Sequence, residues 1–442
     1  MSLEIVDNIK NRIKSRNIDS FEIFLTEDKF YETIFLKDQI ENLREGKDFE
    51  YTIRILDQKD EKTGIGVTKG NLLSGSSLDK SIDFASSIAK QNSGLNYQFP
   101  FPSSLKSIST VDENILKDPY EIQKSLSEDL LSVVNEHKKV TPTFGRFRIH
   151  ITSSFLSNSN EINLESKKTH FFVEFALKGQ KNGRLTEYWP VLYLKDKNQL
   201  QFEKRVNQWA KLTYDALKSK APNPSNKATI IFSPQLVENL LNPILSFHTS
   251  GKTLHEKMSM YSKDGKIASD IVNIKDNGLM PGGLRTNSFD GEGNPHQITV
   301  LVKEGIFKNR IYDHRHAILE GIKSTGNGLR AVNGAIANTI SNIEISPGDM
   351  TLEDMISNIK VGYFIDSCAW MNPSFLTGEF GSLIRNGYYI ENGKIQYPIQ
   401  DGNVSGNVHK MLKRCIYISK ERDYAKNSLV PHMAFDNLTI SY

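Results

Sequence analysis

Short β-rich runs at residues 21–25, 31–36, 49–56 and 63–67 are separated by polar turns. Their β-branched and aromatic content predicts a twisted antiparallel sheet. Ahead of them, Leu3, Ile5, Val6 and Ile9 share one side of a helix. The N-terminus therefore reads as a surface helix, since it carries acids and lacks the apolar core of a signal peptide. Behind them the period changes. Leu78, Ile82, Ala85, Ile88 and Ala89 predict a helix over 77–91. Residues 92–111 are rich in Ser, Pro and Asn and read as a linker or long surface loop.

A second unit begins near Asp118. Ile122, Leu126, Leu130 and Val133 predict a helix over 119–136, strands follow at 144–154, 161–175 and 184–194, and helical spacing returns over 202–218. The segment 220–226, with two prolines and no apolar period, is the clearest boundary. A third unit opens with a buried-strand run at 228–232. Ser233-Pro234 then sets a cap and a first-turn proline before a helix carrying Leu236, Val237, Leu240, Leu241, Ile244 and Leu245. From Ile267 onward strands and Gly turns dominate, with one helix at 351–358. The β segments 387–389, 395–397, 415–418 and 432–440 close the chain.

Runs of strands and runs of helices argue an α+β fold: N-terminal α/β sandwich-like units followed by a largely antiparallel β-rich C-terminal domain. At 442 residues the chain is too long for one ordinary core. The expected units are 1–117, 118–222 and 227–442. Lys and Arg total 55 against 52 acids, a balance that gives no electrostatic argument for nucleic acid. Lys410, Lys413 and Arg414 read as a solvated helix face. No apolar run reaches the roughly 18–20 residues of a membrane helix. Only Cys368 and Cys415 occur, so neither a disulfide framework nor a Cys-rich zinc site is available, and a cytoplasmic home is expected.

Candidate chemistry concentrates at 287–330. An acidic Gly-rich turn, Phe289-Asp290-Gly291-Glu292-Gly293-Asn294-Pro295, precedes an alternating run at 297–302. A Glu304-Gly305 turn follows, then a second alternating segment ending at Tyr312-Asp313, a short helical piece and the loop Ser324-Thr325-Gly326-Asn327-Gly328. This predicts a hairpin between two Gly-rich loops. Asp290 and Glu292 offer paired carboxylates, but in an exposed loop they read first as turn-formers. The 324–328 loop lacks a P-loop lysine and reads as a tight turn. No GxSxG occurs, and no HExxH. His248 and His255 are too far apart on one helix, about 10 Å, to share a tetrahedral ion. His314 and His316 would share a face of a strand but have no third ligand nearby. Tyr363, Phe364, Trp370, Phe375, Phe380, Tyr388 and Tyr389 read mainly as core, with some available to a cleft or interface.

Beyond these features the chain resembles the TldD/PmbA family, once called modulators of DNA gyrase. The likeness is carried by an Arg54-containing strand, Thr63-Gly64-Ile65-Gly66-Val67, and Asn158-Ser159 before a strand containing Thr169. It continues through Phe289-Asp290-Gly291-Glu292-Gly293, Tyr312-Asp313, Ser324-Thr325-Gly326-Asn327, Thr377-Gly378-Glu379-Phe380 and Tyr389-Ile390-Glu391-Asn392-Gly393-Lys394-Ile395. In TldD-type subunits the resemblance implies a helix bearing HExxxH. Aligned on Gly251 and Leu254, this chain has Phe247 and Lys252 at the two His positions and His248 at the Glu position. The third ligand of those proteases is a Cys near the C-terminus, and the matching region, 419–431, has none. The resemblance therefore points to the metal-free PmbA/TldE-type chain. It implies no metal or cofactor here, with zinc only in a TldD-type partner, joined in a heterodimer that degrades unfolded or short peptides. A homodimer is a further assembly, and neither nucleic acid nor membrane is expected. No catalytic residue is assigned. Phe289, Asp290, Glu292, Ser324, Thr325, Asn327, Thr377 and Glu379 are the expected cleft residues. An active metallopeptidase with a displaced metal is the rival reading.

Overall fold

The alternation of β1 (Phe21–Leu36) divides the molecule. Phe21, Ile23 and Leu25 point to one face, where α1 (Ser2–Lys14) and α2 (Gly75–Gln91) bury them with Val6, Ile9, Leu78 and Ile82. Glu22, Phe24 and Thr26 point to the other, where the C-terminal half meets the sheet. The computed structural model describes residues 2–442. Leu3, expected on the inward side of the first helix, lies outside the residues whose side chains are described.

β1 joins two runs that the sequence separates by a turn. The intervening Thr26, Glu27, Asp28 and Lys29 are polar, yet they pair on both sides, with β2 (Gln39–Lys59) and with the later strand Thr141–Asn158. Asp28 also accepts from Thr152 at 2.6 Å and contacts His150 Nδ1 at 2.8 Å. A polar stretch with satisfied ladder bonds is strand, whatever its hydropathy suggests. After β3 (Lys62–Gly70) and β4 (Gly94–Leu95), that strand is β5, followed by β6 (Asn163–Lys181), β7 (Arg184–Tyr188) and β8 (Val191–Leu194). The sheet order is β4-β3-β2-β1-β5-β6-β7, with β8 on β6. One sheet thus crosses the expected boundary at residue 117. There Asp118 is a helix cap, accepting from Glu121 N at 3.0 Å between α3 (Glu113–Lys117) and α4 (Pro119–Asn135). Together with α5 (Phe202–Ala216), α4 covers the β5–β6 end of the sheet.

The C-terminal half is a mixed 11-stranded sheet. β9 (Ser225–Phe232) leads into α6 (Pro234–His248), where Ser233 caps Leu236 N as its sequence predicts. α7 (Gly251–His255) follows, then β10 (Ile274–Asn277), β11 (Ile298–Lys303) and β12 (Ile306–Phe307). The β11–β12 turn places Glu304 and Gly305 at φ 50° and 72°, the left-handed pair a two-residue hairpin requires. Beyond α8 (His314–Leu319) come β13 (Gly328–Arg330), β14 (Ile336–Asn338), β15 (Ile343–Ile345) and α9 (Leu352–Ser357). The chain ends with β16 (Val361–Cys368), β17 (Glu379–Glu391), β18 (Lys394–Ile399), β19 (Asn403–Asn407), α10 (Val408–Leu412), β20 (Cys415–Ala425) and β21 (Ser428–Ser441). Because β21 pairs with both β19 and β9, the strands β9, β16, β17, β19 and β21 close into a ring. α6 packs its apolar side, Leu236 to Leu245, into the same core. The pairs are antiparallel except β9–β16 and β15–β21. No helix among the described residues is long and apolar enough to cross a membrane.

Gly64 and Gly66 explain one sequence motif. A Cβ on Gly66 would lie 1.8 Å from the Ala85 carbonyl oxygen, and one on Gly64 would lie 1.8 Å from that of Ala89. Strand β3 can approach the α2 backbone this closely only without side chains there. Gly66→Ala is therefore expected to cost roughly 1–3 kcal/mol by overpacking, read as a lower denaturant midpoint with unchanged slope. An unchanged midpoint would contradict this packing.

Candidate functional site

Glu22 and Arg54 sit directly opposite one another in the β1–β2 register, on the face turned toward the C-terminal half. Arg54 is 4% exposed and Glu22 is fully buried. Arg54 Nη1 pairs with Glu22 at 3.2 Å and with Glu292, from the Gly-rich turn, at 3.6 Å. Tyr97 accepts from Arg54 Nη2 at 3.0 Å and donates to Glu292 at 3.0 Å. Arg330 completes the set, donating to Glu22 at 2.5 Å with its guanidinium 4.3 Å from the Phe24 ring centre. Burial opposes the charge of Arg54, but Tyr97, Glu22 and Glu292 outweigh it and hold the guanidinium protonated. Burial pushes the Glu292 carboxyl up to about 8, with Arg54 pulling it down and Asp290 and Asp313 adding to the rise.

Asp290 and Glu292 correct the exposed-loop expectation: they are 5% and 0% exposed. Asp290 folds its own turn, accepting from Glu292 N, Asn294 N and Gly328 N, each at 2.9 Å. Burial lifts its carboxyl to about 6 against those three donors. Glycine at 328 leaves room for the Glu292 carboxylate, since a Cβ there would lie 2.5 Å from its Oε2.

Next to this network the two halves border a half-open cavity of about 540 Å³, a size typical of sites for organic ligands. Phe24, Thr26, Glu50, Thr52, Thr152 and Ser154 form its sheet wall, and Phe289, Asp290, Asn327 and Arg330 belong to the opposite wall. Asn327 is held by Asp276, to which its Nδ2 donates at 2.5 Å. Of the expected cleft residues, Phe289, Asp290 and Asn327 line this cavity; Glu292 lies behind it. Ser324 and Thr325 brace Tyr312 instead, through bonds of 2.9 Å to its carbonyl and 2.6 Å from its N–H. The Tyr312 ring in turn packs on Gly251, where a Cβ would lie 2.2 Å away.

Thr377 and Glu379 belong to a second place. They hold Asn407, whose Nδ2 donates to the Thr377 carbonyl at 2.7 Å and to Glu379 at 2.9 Å. Asn407 caps α10, and α10 brings His409 to His248 with ring centres 4.8 Å apart. His248 ends α6 fully buried, its Nδ1 accepting from Met260 N at 3.2 Å. Burial, then the neighbouring His409, lowers its pKa to about 4, so the ring is neutral near pH 7. Nε2 of both histidines is buried without a hydrogen-bond partner. Phe247 packs on Phe375 at 4.9 Å, and Lys252 stands half-exposed on α7 beside Glu256. The break between α6 and α7 at Ser250 also means that His248 and His255 do not share one helix, as the spacing argument supposed. His314 and His316 lie on α8, not on a strand, and His316 Nδ1 contacts Asp313 at 2.6 Å.

A zinc site of the expected kind does not fit these residues. Zinc needs three or more His, Cys, Asp or Glu donors. Among the described residues no such group of three converges. Phe247 has no lone pair, and Lys252 is cationic. Cys415 lies buried in β20 with its thiol pushed up by burial and directed at the Tyr417 carbonyl. His409, Tyr97 and Arg330 were not foreseen. His409 is 161 positions from His248, and only the fold brings the two together.

Two outcomes follow. Arg54→Met leaves Glu22 with Arg330 alone and Glu292 with Tyr97 as its remaining side-chain partner and is expected to cost about 3–5 kcal/mol, with Arg54→Lys a poor rescue; a loss below about 1 kcal/mol in denaturant melts would contradict the network. Because the folded Glu292 carboxyl is raised above its ordinary 4.5, its contribution is complete below that pH and is lost as pH rises through about 8. Glu292→Gln should therefore flatten the decline of thermal midpoint across about pH 5–8. Parallel wild-type and variant curves would contradict it.

A family model described as the PmbA/TldA metallopeptidase C-terminal domain matches residues 225–442. An uncharacterised protein, MJ0231, of Methanocaldococcus jannaschii is 30% identical over 270 residues, covering 59% of this chain and 60% of the relative. The metalloprotease PmbA homolog of Buchnera aphidicola is 24% identical over 441 residues, covering 96% of this chain and 94% of its own. TldE from Thermococcus kodakarensis has the same fold, with a TM-score of 0.86 at 22% identity over 98% of this chain and 100% of that one. With its C-terminal half matched to that metallopeptidase domain and nearly its whole length to a PmbA homologue, the chain belongs to the PmbA/TldD family.

Proposed function

We propose that this chain is the non-catalytic, PmbA/TldE-type subunit of a two-subunit zinc peptidase that acts on unfolded or short peptides in the cytoplasm. The observation that carries the reading is the set of side chains at the expected zinc helix. Phe247 is packed on Phe375, the Nδ1 of His248 already accepts from Met260 N–H, and Lys252 offers a positive charge. In this reading the TldD-type partner supplies zinc, the general base and the activated water. This chain contributes the partner-facing surface and the interdomain cavity, where a peptide segment is held.

A rival reading has one observation in its favour. His248 and His409 each carry a buried, unpartnered Nε2, and a displaced metal bound there would make the chain a peptidase by itself. Co-expression with the TldD-type protein of the same organism separates the two. The subunit reading expects a complex that survives purification and hydrolyses an unfolded test peptide faster than either chain alone. Activity of the partner that this chain leaves unchanged would overturn it. Hydrolysis by this chain alone, lost in His248→Ala and His409→Ala, would establish the rival.

A further inference from the structure

The interdomain cavity holds more positive charge than its own acids neutralise. Four cationic residues line it, Lys69, Lys168, Arg285 and Arg330, against Glu50 and Asp290. Lys69 and Glu50 pair with each other at 2.7 Å. Asp290 spends its oxygens on three backbone N–H groups. Arg330 is 9% exposed, and beyond its bond to Glu22 its Nε and Nη1 are buried without partners. Arg285 donates through Nη1 to the Ile340 carbonyl at 2.8 Å, a neutral acceptor. Burial, with the positive charges of Lys195 and Arg285 adding to it, lowers the Lys168 pKa to about 8. Lys195 is itself engaged, donating to the Thr169 carbonyl at 2.5 Å. His296, also on the wall, is kept neutral by burial.

Lys69 and Arg330 have acid partners and Arg285 is attracted by Asp276 and Glu238, which leaves Lys168 as the lining cation with no acid acting on it. A partly desolvated cation of that kind is costly unless an anion joins it. The rest of the wall is mixed: Phe24, Leu284, Phe289, Leu329, Val332 and Ile340 are apolar, and hydroxyl and amide residues such as Thr26, Thr152 and Asn327 stand among them. An inorganic ion would leave that wall and most of the volume unused. We infer that the cavity binds the carboxylate of a peptide, with Lys168 and Arg285 as contacting donors, Arg330 as a supporting charge and the peptide's apolar side chains against the phenylalanine and aliphatic wall. The choice of a peptide rests on the function proposed above, and the binding itself is testable on this chain without a partner.

Calorimetric titration of the full chain with a short Ala/Phe peptide bearing a free C-terminal carboxylate, with its C-terminal amide, with the amide carrying one internal Glu, and with inorganic phosphate decides it. The free acid is expected to bind about tenfold or more tightly than the plain amide. Tight binding of the internal-Glu amide as well identifies a side-chain carboxylate as an equal source. Lys168→Met and Arg285→Met should each weaken the carboxylate peptides by about tenfold while leaving the plain amide unmoved. Lys168→Arg should retain binding, and the thermal midpoint of Lys168→Met should not fall, since an unpaired cation is removed. Equal affinity for acid and amide, no binding of any peptide, or binding of phosphate alone would overturn the inference. A chain that binds the acid peptide yet forms no complex with a TldD-type protein would leave this site standing and remove the subunit reading.

Discussion

The pairing of Glu22 and Arg54 across β1 and β2, completed by Glu292 and Arg330 from the C-terminal half, is the constraint on which the rest of the molecule depends. A sheet face that met an ordinary core would be apolar at these positions. Instead, strand alternation delivers charged side chains to a place water does not reach, so each must find its counterpart. Tyr97 supplies the remaining hydrogen bonds from a segment without regular structure of its own. The arrangement is costly to assemble, because each buried charged group must meet its counterpart as the halves come together. It also sets the cavity wall, since Phe24 and Thr52 are the second neighbours of Glu22 and Arg54 on the same face.

The two chemically suggestive places in the C-terminal half are joined by one chain of contacts. Asn327 at the cavity receives a 2.6 Å bond from Thr325, Thr325 holds Tyr312, and Tyr312 packs on Gly251 at the start of α7, just past His248. Around His248 the surroundings favour a neutral imidazole: aromatic rings, a second histidine and no carboxylate partner. Around the cavity they favour a bound anion. A metallopeptidase-family domain is thus present, and the positions that the resemblance aligns with a zinc helix hold a phenylalanine, a buried histidine and a solvent-facing lysine.

Much of the architecture was legible in the pattern of residues. The helix cap at Ser233, the Glu304-Gly305 turn and the helical faces of α2, α4, α5 and α6 all rest on local physics that the sequence displays. The polar strand segments were not, because Thr26–Lys29 and the first half of β2 gain their strand identity from pairing with distant partners. Residues 92–111 lack regular structure over most of their length, as read, yet the segment is pinned. Asn158 donates to the Pro100 carbonyl at 2.9 Å, and Thr169 N donates to the Thr110 carbonyl at 3.1 Å. Burial of Asp290 and Glu292 was hidden for the same reason. A Gly-rich acidic loop looks solvated until the opposing sheet face is seen to carry an arginine. Of the expected cleft, three residues share the cavity wall, while Thr377 and Glu379 serve the His248 neighbourhood.

This chain is proposed to carry the peptidase fold without a zinc site of its own. Metal content of the full chain, purified without added metal and again after equilibration with excess zinc and desalting, tests that claim most directly by elemental mass spectrometry. Zinc far below one ion per chain is expected in both samples, with no dependence on His248. One zinc per chain that survives desalting and disappears in His248→Ala would contradict it.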